Sequence, residues 1–128
     1  MSEFTLVISG YRDYYDYDKF KETVLKMLPQ IRLLPSTVMI ACGDARGTDA
    51  LAVRFGNEAG VKVTVFNADW NTHGKRAGPI RNEKMLKFAR SRPGGCGLIA
   101  FLSPMSKGTL SCINTASKLG IETKIFHV

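Results

Sequence analysis

Apolar and polar residues alternate along the chain in blocks that predict strands and helices in turn. Five apolar runs, rich in β-branched residues and bounded by glycine or polar residues, predict strands over residues 4–9, 38–41, 61–66, 97–102 and 121–128. Such continuous apolar runs, separated by helices, are typical of a parallel sheet covered on both faces. We therefore predict an α/β fold. It is a single Rossmann-like, doubly wound domain over the whole 128-residue chain, with a five-stranded, mainly parallel sheet and helices on both faces.

The first helix is predicted from apolar spacing and from a residue that favours a helix start. Asp16 or Asp18 is expected to cap this helix. Its apolar positions are Phe20, Val24, Leu25 and Leu28. A connection between Pro29 and Pro35 then leads to the second strand.

The remaining helices follow the second, third and fourth strands. Thr48 or Asp49 is expected to cap the second helix, which ends near Gly60. Pro79 suits the first turn of the third helix. The apolar face of that helix is predicted at Ile80, Met85, Leu86 and Ala89. The fourth helix is predicted over about residues 110–119.

A polar loop follows each of the first four strands. These loops begin at Gly10, run over 43–49, form a long stretch at 67–78, and precede the last helix at 106–109. A polar stretch of about 12 residues without secondary structure is usually functional or mobile. Because parallel strands bring their carboxyl ends to one edge of the sheet, we expect all four loops to face one crevice.

The loop over 43–49 has the features of an anion site. A strand, a glycine-flanked turn and a helix start bring backbone N–H groups and the positive end of the helix dipole together. Arg46 adds a planar donor for phosphate or carboxylate, although it could instead pair with Asp44 or Asp49 in a solvated ion pair. Neither GxGxxG nor GxxxxGK[ST] occurs, so those modes of dinucleotide or triphosphate binding are not predicted.

Two further loops offer similar chemistry. The long loop contains donors suited to phosphate or ribose, and Trp70 could stack on a base or simply pack against the following helix as part of a surface lid. The polar residues of this loop include Asp69, His73, Lys75 and Arg76. The fourth loop places a lysine and hydroxyl groups at a helix start, although it is also readable as a simple capped turn. It reads Ser106, Lys107, Gly108, Thr109.

Composition limits the classes of protein and partner. The net charge of +7 favours an anionic partner, although solubility alone explains it equally well. Three cysteines without metal-like spacing fit reduced, mostly buried thiols in a cytoplasmic protein. Neither a membrane-spanning run nor a secretory signal is apparent, and no metal or cofactor is expected.

Several of these segments, taken together and in order, resemble the YspA-type branch of the SLOG superfamily. They are GYR (10–12), GDARGTD (43–49), ADW (68–70), GKRAGPIRNEKM (74–85) and KGT (107–109). That superfamily groups proteins similar to the Smf/DprA DNA-processing proteins and to the LOG (lysine decarboxylase-like) phosphoribohydrolases. The resemblance implies a Rossmann-like nucleotide-binding domain, of a kind found in nucleotide metabolism, phage conflict and mobile elements.

The resemblance also implies which residues contact the ligand. Carried over by position, they are Gly10, Arg12, Gly43, Arg46, Gly47, Asp49, Arg81, Asn82, Gly108 and Thr109. Trp70 and Lys107 are added from their loops. LOG enzymes use a Pro-Gly-Gly-x-Gly-Thr-x-x-Glu element, whose glutamate position is Cys112 here. That loss argues against LOG-type hydrolysis, unless Asp49, Asp69 or Glu83 supplies the carboxylate.

We therefore predict a sensor or sequestering protein that binds a nucleotide or a nucleotide-derived phosphorylated ligand. Whether it is an enzyme stays open; the alternative is an N-glycosidase or transferase acting on a nucleotide. A second alternative is single-stranded DNA binding of the DprA type, with weak affinity for nucleic acid and base stacking by the tyrosines near the first loop. Packing in that region or a contact in a homo-oligomer is the preferred interpretation of those tyrosines, which are Tyr11, Tyr14, Tyr15 and Tyr17.

Overall fold

The computed structural model describes residues 3–30 and 38–128. Within them, five strands form one sheet in which every neighbouring pair is parallel. The strands are β1 (Phe4–Gly10), β2 (Val38–Gly43), β3 (Lys62–Phe66), β4 (Cys96–Leu102) and β5 (Thr123–His127). The predicted Rossmann-like α/β fold is confirmed.

Helices connect the strands. They are α1 (Tyr17–Gln30), α2 (Thr48–Ala59), the short α3 (Trp70–His73), α4 (Ala77–Ser91) and α5 (Lys107–Lys118), with one 3₁₀ turn at Gly74–Arg76. Among the described residues no helix is both long enough and apolar enough to cross a bilayer.

The strand order is β3-β2-β1-β4-β5, so the direction of winding reverses between β1 and β4. In open α/β sheets a reversal of this kind separates the loops on either side and leaves a crevice at the carboxyl ends of the strands. Here the crevice lies between the β1–α1 turn and the β4–α5 turn.

Successive residues of each strand bury their side chains on opposite faces of the sheet. Leu6 and Ile8 pack in the cluster that includes α1 and α2, whereas Val7 packs in the cluster that includes α4 and α5. All six residues of β2 are buried. Covering both faces explains why the central strands β1, β2 and β4 are almost wholly apolar, as the sequence pattern indicated. The edge strands β3 and β5 are only partly buried and include Lys62 and Lys124.

Two predictions about α1 have different outcomes. Asp16 precedes the helix and accepts a hydrogen bond from Lys19 N at 3.1 Å, so the predicted cap is confirmed. Leu25 was expected on the buried face but is 44% exposed. Met27, seven residues after the buried Phe20, takes the inward position because residues seven apart lie on the same side of a helix. The side chain of Leu28 and residues 31–35 of the predicted connection lie outside the described part of the chain.

The segment 67–78 is not the unstructured loop that was predicted. It forms α3 and the 3₁₀ turn and then enters α4. The Asp69 side chain accepts from Thr72 N at 3.1 Å and so caps α3. Polar composition indicated a loop. A side-chain cap and the packing of α3 against α4 nevertheless stabilise this four-residue helix, which is too short to show a helical pattern in the sequence.

The predicted cap of α2 is also wrong. The N-cap is Gly47, and no side chain caps the helix. Thr48 and Asp49 are inside the first turn, where each side chain bonds to a neighbouring loop instead.

Gly10 is expected to tolerate no side chain, because a Cβ there would lie 2.6 Å from the Thr48 side chain and 2.8 Å from Phe101 Cβ. We expect Gly10→Ala to lower the free energy of unfolding by about 1–3 kcal/mol, the usual cost of overpacking. Chemical denaturation would measure this.

The matched control is Gly108→Ala, since a Cβ at Gly108 meets nothing within 4 Å. That change should leave stability unchanged or raise it by up to about 1 kcal/mol through helix propensity. Equal destabilisation by the two substitutions would contradict the close-packing role of Gly10.

Candidate functional site

A cavity of about 500 Å³ lies at the carboxyl ends of the strands, where the winding of the sheet reverses. Its wall comes from all four predicted loops. The lining residues are Ser9, Gly10, Tyr11, Arg12, Ala45, Asp49, Trp70, Lys75, Gly78, Pro79, Arg81, Asn82, Met105, Ser106, Lys107, Gly108, Thr109 and Ser111. A cavity of this size is in the range of small-molecule sites.

The β1–α1 turn is held directly against the start of α2. The Tyr11 carbonyl accepts from Thr48 Oγ1 at 2.9 Å and from Thr48 N at 3.3 Å. Gly47 has φ +71°, and a Cβ there would collide with the Arg12 carbonyl. The first amide of α2 is therefore used inside the protein.

Three of the ligand contacts predicted in the motif at 43–49 do not reach the cavity wall. Gly43 has no room for a side chain because Arg81 and the Asp49 carboxylate pack against it. Gly47 packs on the first turn. Arg46 pairs with Asp13 at 2.8 Å rather than with either aspartate considered from the sequence.

Asp49 does reach the cavity and is only 6% exposed. Its Oδ2 accepts from Ala45 N at 3.1 Å. Burial raises the pKa of Asp49 to about 6, against the opposing effects of the Ala45 bond and the Arg81 charge. The site thus holds a carboxylate that is costly to ionise.

Arg81 and Asn82 lie in the second turn of α4 and are fixed by polar contacts. Arg81 Nη1 lies 2.8 Å from Asp44 Oδ1 and 3.3 Å from the Phe66 carbonyl. Arg81 Nε donates to Asn82 Oδ1 at 2.7 Å. These bonds tie α4 to the ends of β2 and β3 and leave both residues on the cavity wall.

The β4–α5 turn presents an open helix start to the cavity. The N-cap is Ser106, whose side chain makes no capping bond and instead accepts from Ser103 N at 3.0 Å. The first amides of a helix have no partner within it, so those of Lys107, Gly108 and Thr109 are available to a ligand. Gly108 adds no side chain over them.

Exposed apolar side chains lie at the mouth of the cavity. Trp70 is 59% exposed and Met105 is 76% exposed, and both line it. A Cβ on Gly78 would lie 3.6 Å from the Trp70 ring, so the indole rests against the start of α4. Two large apolar groups at the edge of the cavity suit a planar ring.

The cavity brings together most of the predicted ligand contacts. Those on its wall are Gly10, Arg12, Asp49, Trp70, Arg81, Asn82, Lys107, Gly108 and Thr109. Ser9, Ala45, Met105 and Ser111 line the cavity but were not predicted as contacts. Tyr11, predicted only as a possible base-stacking residue of the DNA-binding alternative, lines it as well. Met105 could have been predicted, because it is a hydrophobic residue directly before the polar turn at 106–109.

Of the three candidate catalytic carboxylates, Asp49 alone lines the cavity. Asp69 caps α3, and its bonds with Thr72 lower its pKa. Glu83 pairs with Lys87 on the exposed surface of α4.

Cys112, at the position of the LOG glutamate, is fully buried, and burial raises its pKa to about 11. Burial also raises the pKa of Cys42 to about 12, so neither buried thiol is an activated nucleophile. The described residues contain no group of three or more potential metal ligands.

The tyrosines near the first loop are largely part of the core. Tyr14 stacks on Phe101 and Tyr17 on Phe20. Tyr15 is exposed and does not line the cavity, whereas Tyr11 does. The preferred interpretation, packing rather than base stacking, holds for Tyr14 and Tyr17.

Comparisons with known proteins agree with this architecture. A profile of the YAcAr family, described as the YspA, cpYpsA-related SLOG family, matches residues 4–73. The Gene 61 protein of Mycobacterium phage D29 is 37% identical over 92 residues, which are 68% of this chain and 70% of that protein. The chain belongs to the YspA, cpYpsA-related SLOG family.

The SLOG family match spans β1 to α3 and therefore includes the β1–α1 turn, the motif at 43–49, and Trp70. The contacts proposed on α4 and α5 lie beyond it. Their assignment depends on the cavity rather than on the matched segment.

A buried carboxylate of this kind should cost stability at neutral pH. The folded pKa of Asp49, about 6, exceeds its ordinary value of 3.8, so the folded state retains the proton to a higher pH than the unfolded state. Stability from this group is complete below pH 4 and is lost as the pH rises through 6, by about 3 kcal/mol at most. Asp49→Asn should therefore raise the free energy of unfolding relative to wild type at pH 7.5 more than at pH 4.

Urea denaturation at the two pH values measures this difference. Glu83→Gln is the control, because its pairing with Lys87 lowers the pKa of Glu83 and its removal gives no gain at neutral pH. A relative stability of Asp49→Asn that does not change between pH 4 and 7.5 would contradict the burial effect.

Proposed function

We propose that the protein binds a nucleotide or a nucleotide-derived phosphorylated ligand in this cavity, as a sensor or sequestering protein. The observation that carries the proposal is the set of groups that line the cavity. It combines an open helix start, exposed cations and exposed apolar side chains at the point where the sheet reverses.

The phosphate is assigned to the start of α5. Backbone N–H groups and the positive end of a helix dipole stabilise an anion there, and Lys107 adds a positive charge. Arg12 and Lys75 line the same cavity and are exposed. The start of α2 is less suited, because Tyr11 already accepts from its first amide.

The base is assigned to the mouth. An exposed indole offers a large flat apolar surface, and stacking of a base on an aromatic side chain contributes about 1–3 kcal/mol. Trp70 provides this surface and Met105 a polarisable apolar contact.

Membership of the SLOG family supports a nucleotide-related ligand, and the similar phage protein supports a role connected with phage. We assign this binding to the reducing cytoplasm, and the three free cysteines support that assignment.

Trp70 is the sole tryptophan of the chain, so its fluorescence reports on the mouth of the cavity. Titration with adenosine and guanosine 5′-mono-, di- and triphosphates should change that fluorescence saturably. Lys107→Ala should weaken binding of the best ligand by about 1–2 kcal/mol, or roughly five- to thirtyfold in Kd.

Arg46→Ala is the matched control. It removes the same charge from a residue that pairs with Asp13 and does not line the cavity. At 0.15 M salt its Kd should stay within about twofold of wild type, because the exposed charge of Arg46 is paired with Asp13 and screened by salt. Equal losses in the two variants would contradict the phosphate assignment.

The alternative function, an N-glycosidase that acts on a nucleotide, rests on one observation, the presence of Asp49 on the cavity wall. A carboxylate with pKa about 6 is suited to general acid–base chemistry at a glycosidic bond. Incubation with nucleoside monophosphates and NAD-related compounds would then release free base, and Asp49→Asn would abolish release. Saturable binding without base release would leave a binding protein and exclude the hydrolase for those compounds.

A further inference from the structure

Charge is unevenly distributed within the cavity. Arg12, Lys75 and Lys107 are exposed near the mouth, and the ion pairs formed among the described residues include none of them. Asp49 and Asn82 are buried at the floor. A phosphate is repelled by a carboxylate and attracted by the cations, so its favourable position is near the mouth.

The Asp49 carboxylate can accept further hydrogen bonds. Its Oδ2 accepts from Ala45 N at 3.1 Å. An ionised carboxylate has about four acceptor positions, so acceptor capacity is left on the side that faces the cavity. A phosphate dianion has no proton to donate there, whereas a hydroxyl group has one.

Asn82 supplies the complementary donor. Its Oδ1 accepts from Arg81 Nε at 2.7 Å, and Arg81 is held in turn by Asp44 at 2.8 Å. With the oxygen so engaged, the amide nitrogen of Asn82 remains to donate. The floor therefore offers an acceptor and a donor, which suit the two hydroxyl groups of a sugar diol.

We infer that the cavity selects ribonucleotides over their 2′-deoxy counterparts, with the sugar diol bound by the Asp49 carboxylate and the Asn82 amide. The inference rests on the proposed function and adds the class of sugar. A ligand that lacks one hydroxyl leaves a buried polar group without a partner, which is how sites built for a hydroxyl reject analogues without it.

The test is calorimetric titration of the full chain at pH 7.5 with matched pairs: AMP and dAMP, GMP and dGMP, CMP and dCMP, UMP and dUMP, together with the corresponding triphosphates. The best-bound base should show a ribonucleotide preference of about ten- to a hundredfold, the scale of one hydrogen bond to a charged group.

The variant Asp49→Asn keeps an acceptor for Ala45 N but removes the charge. It should reduce the preference to within about threefold by weakening ribonucleotide binding and leaving deoxynucleotide binding nearly unchanged. Glu83→Gln, at an exposed carboxylate outside the cavity, should keep the full preference.

The outcomes separate the two claims. Equal affinity for the members of each pair in the wild-type protein overturns the ribose inference and leaves nucleotide binding in place. A preference that survives undiminished in Asp49→Asn overturns the assignment to Asp49. Binding of none of these nucleotides overturns the proposed function and, with it, this inference.

Discussion

The functional edge of the protein depends on the close approach of the β1–α1 turn to the start of α2. Thr48 donates twice to the Tyr11 carbonyl, once from its backbone and once from its hydroxyl. Glycines make the approach possible, since a side chain at Gly10 would meet Thr48 and one at Gly47 would meet the first turn. The absence of side chains at these two glycines lets the two segments pack closely, and Gly47 then lies directly against the Arg12 carbonyl.

That junction decides which helix start is available to an anion. At α2 the first amide is bonded to Tyr11, and Asp49 in the first turn places a negative charge beside the remaining ones. At α5 the N-cap side chain is turned back to Ser103, and no acidic residue occupies the first turn. Two helix starts with similar sequence signals thus differ in electrostatics, and the difference gives the cavity a negative floor and a positive mouth.

The order of strands and helices could be predicted from the sequence because hydrophobic burial is periodic and local. Convergence of four polar loops followed from parallel pairing alone. The hydrogen-bond and ion-pair partners of the loop residues could not be predicted in the same way, because those partners are far away in the chain. Arg46 and Asp13 are 33 residues apart, and Thr48 and Tyr11 are 37 apart. The motif therefore indicated the kind of chemistry at residues 43–49. Which of its groups are already bonded within the protein is decided by the tertiary structure.

Asp49 shows why the distinction matters for function. A helix cap would gain stability from its carboxylate, but this carboxylate is buried and its ionisation opposes folding, as its raised pKa indicates. The cost is partly offset by Ala45 N and by the charge of Arg81, which is itself neutralised by Asp44. An acid that destabilises the fold and lines a cavity is a candidate for a functional role, since costly groups concentrate at functional sites. The residue that looked like a structural cap in the sequence is therefore the part of the motif to which the proposed function assigns a ligand contact.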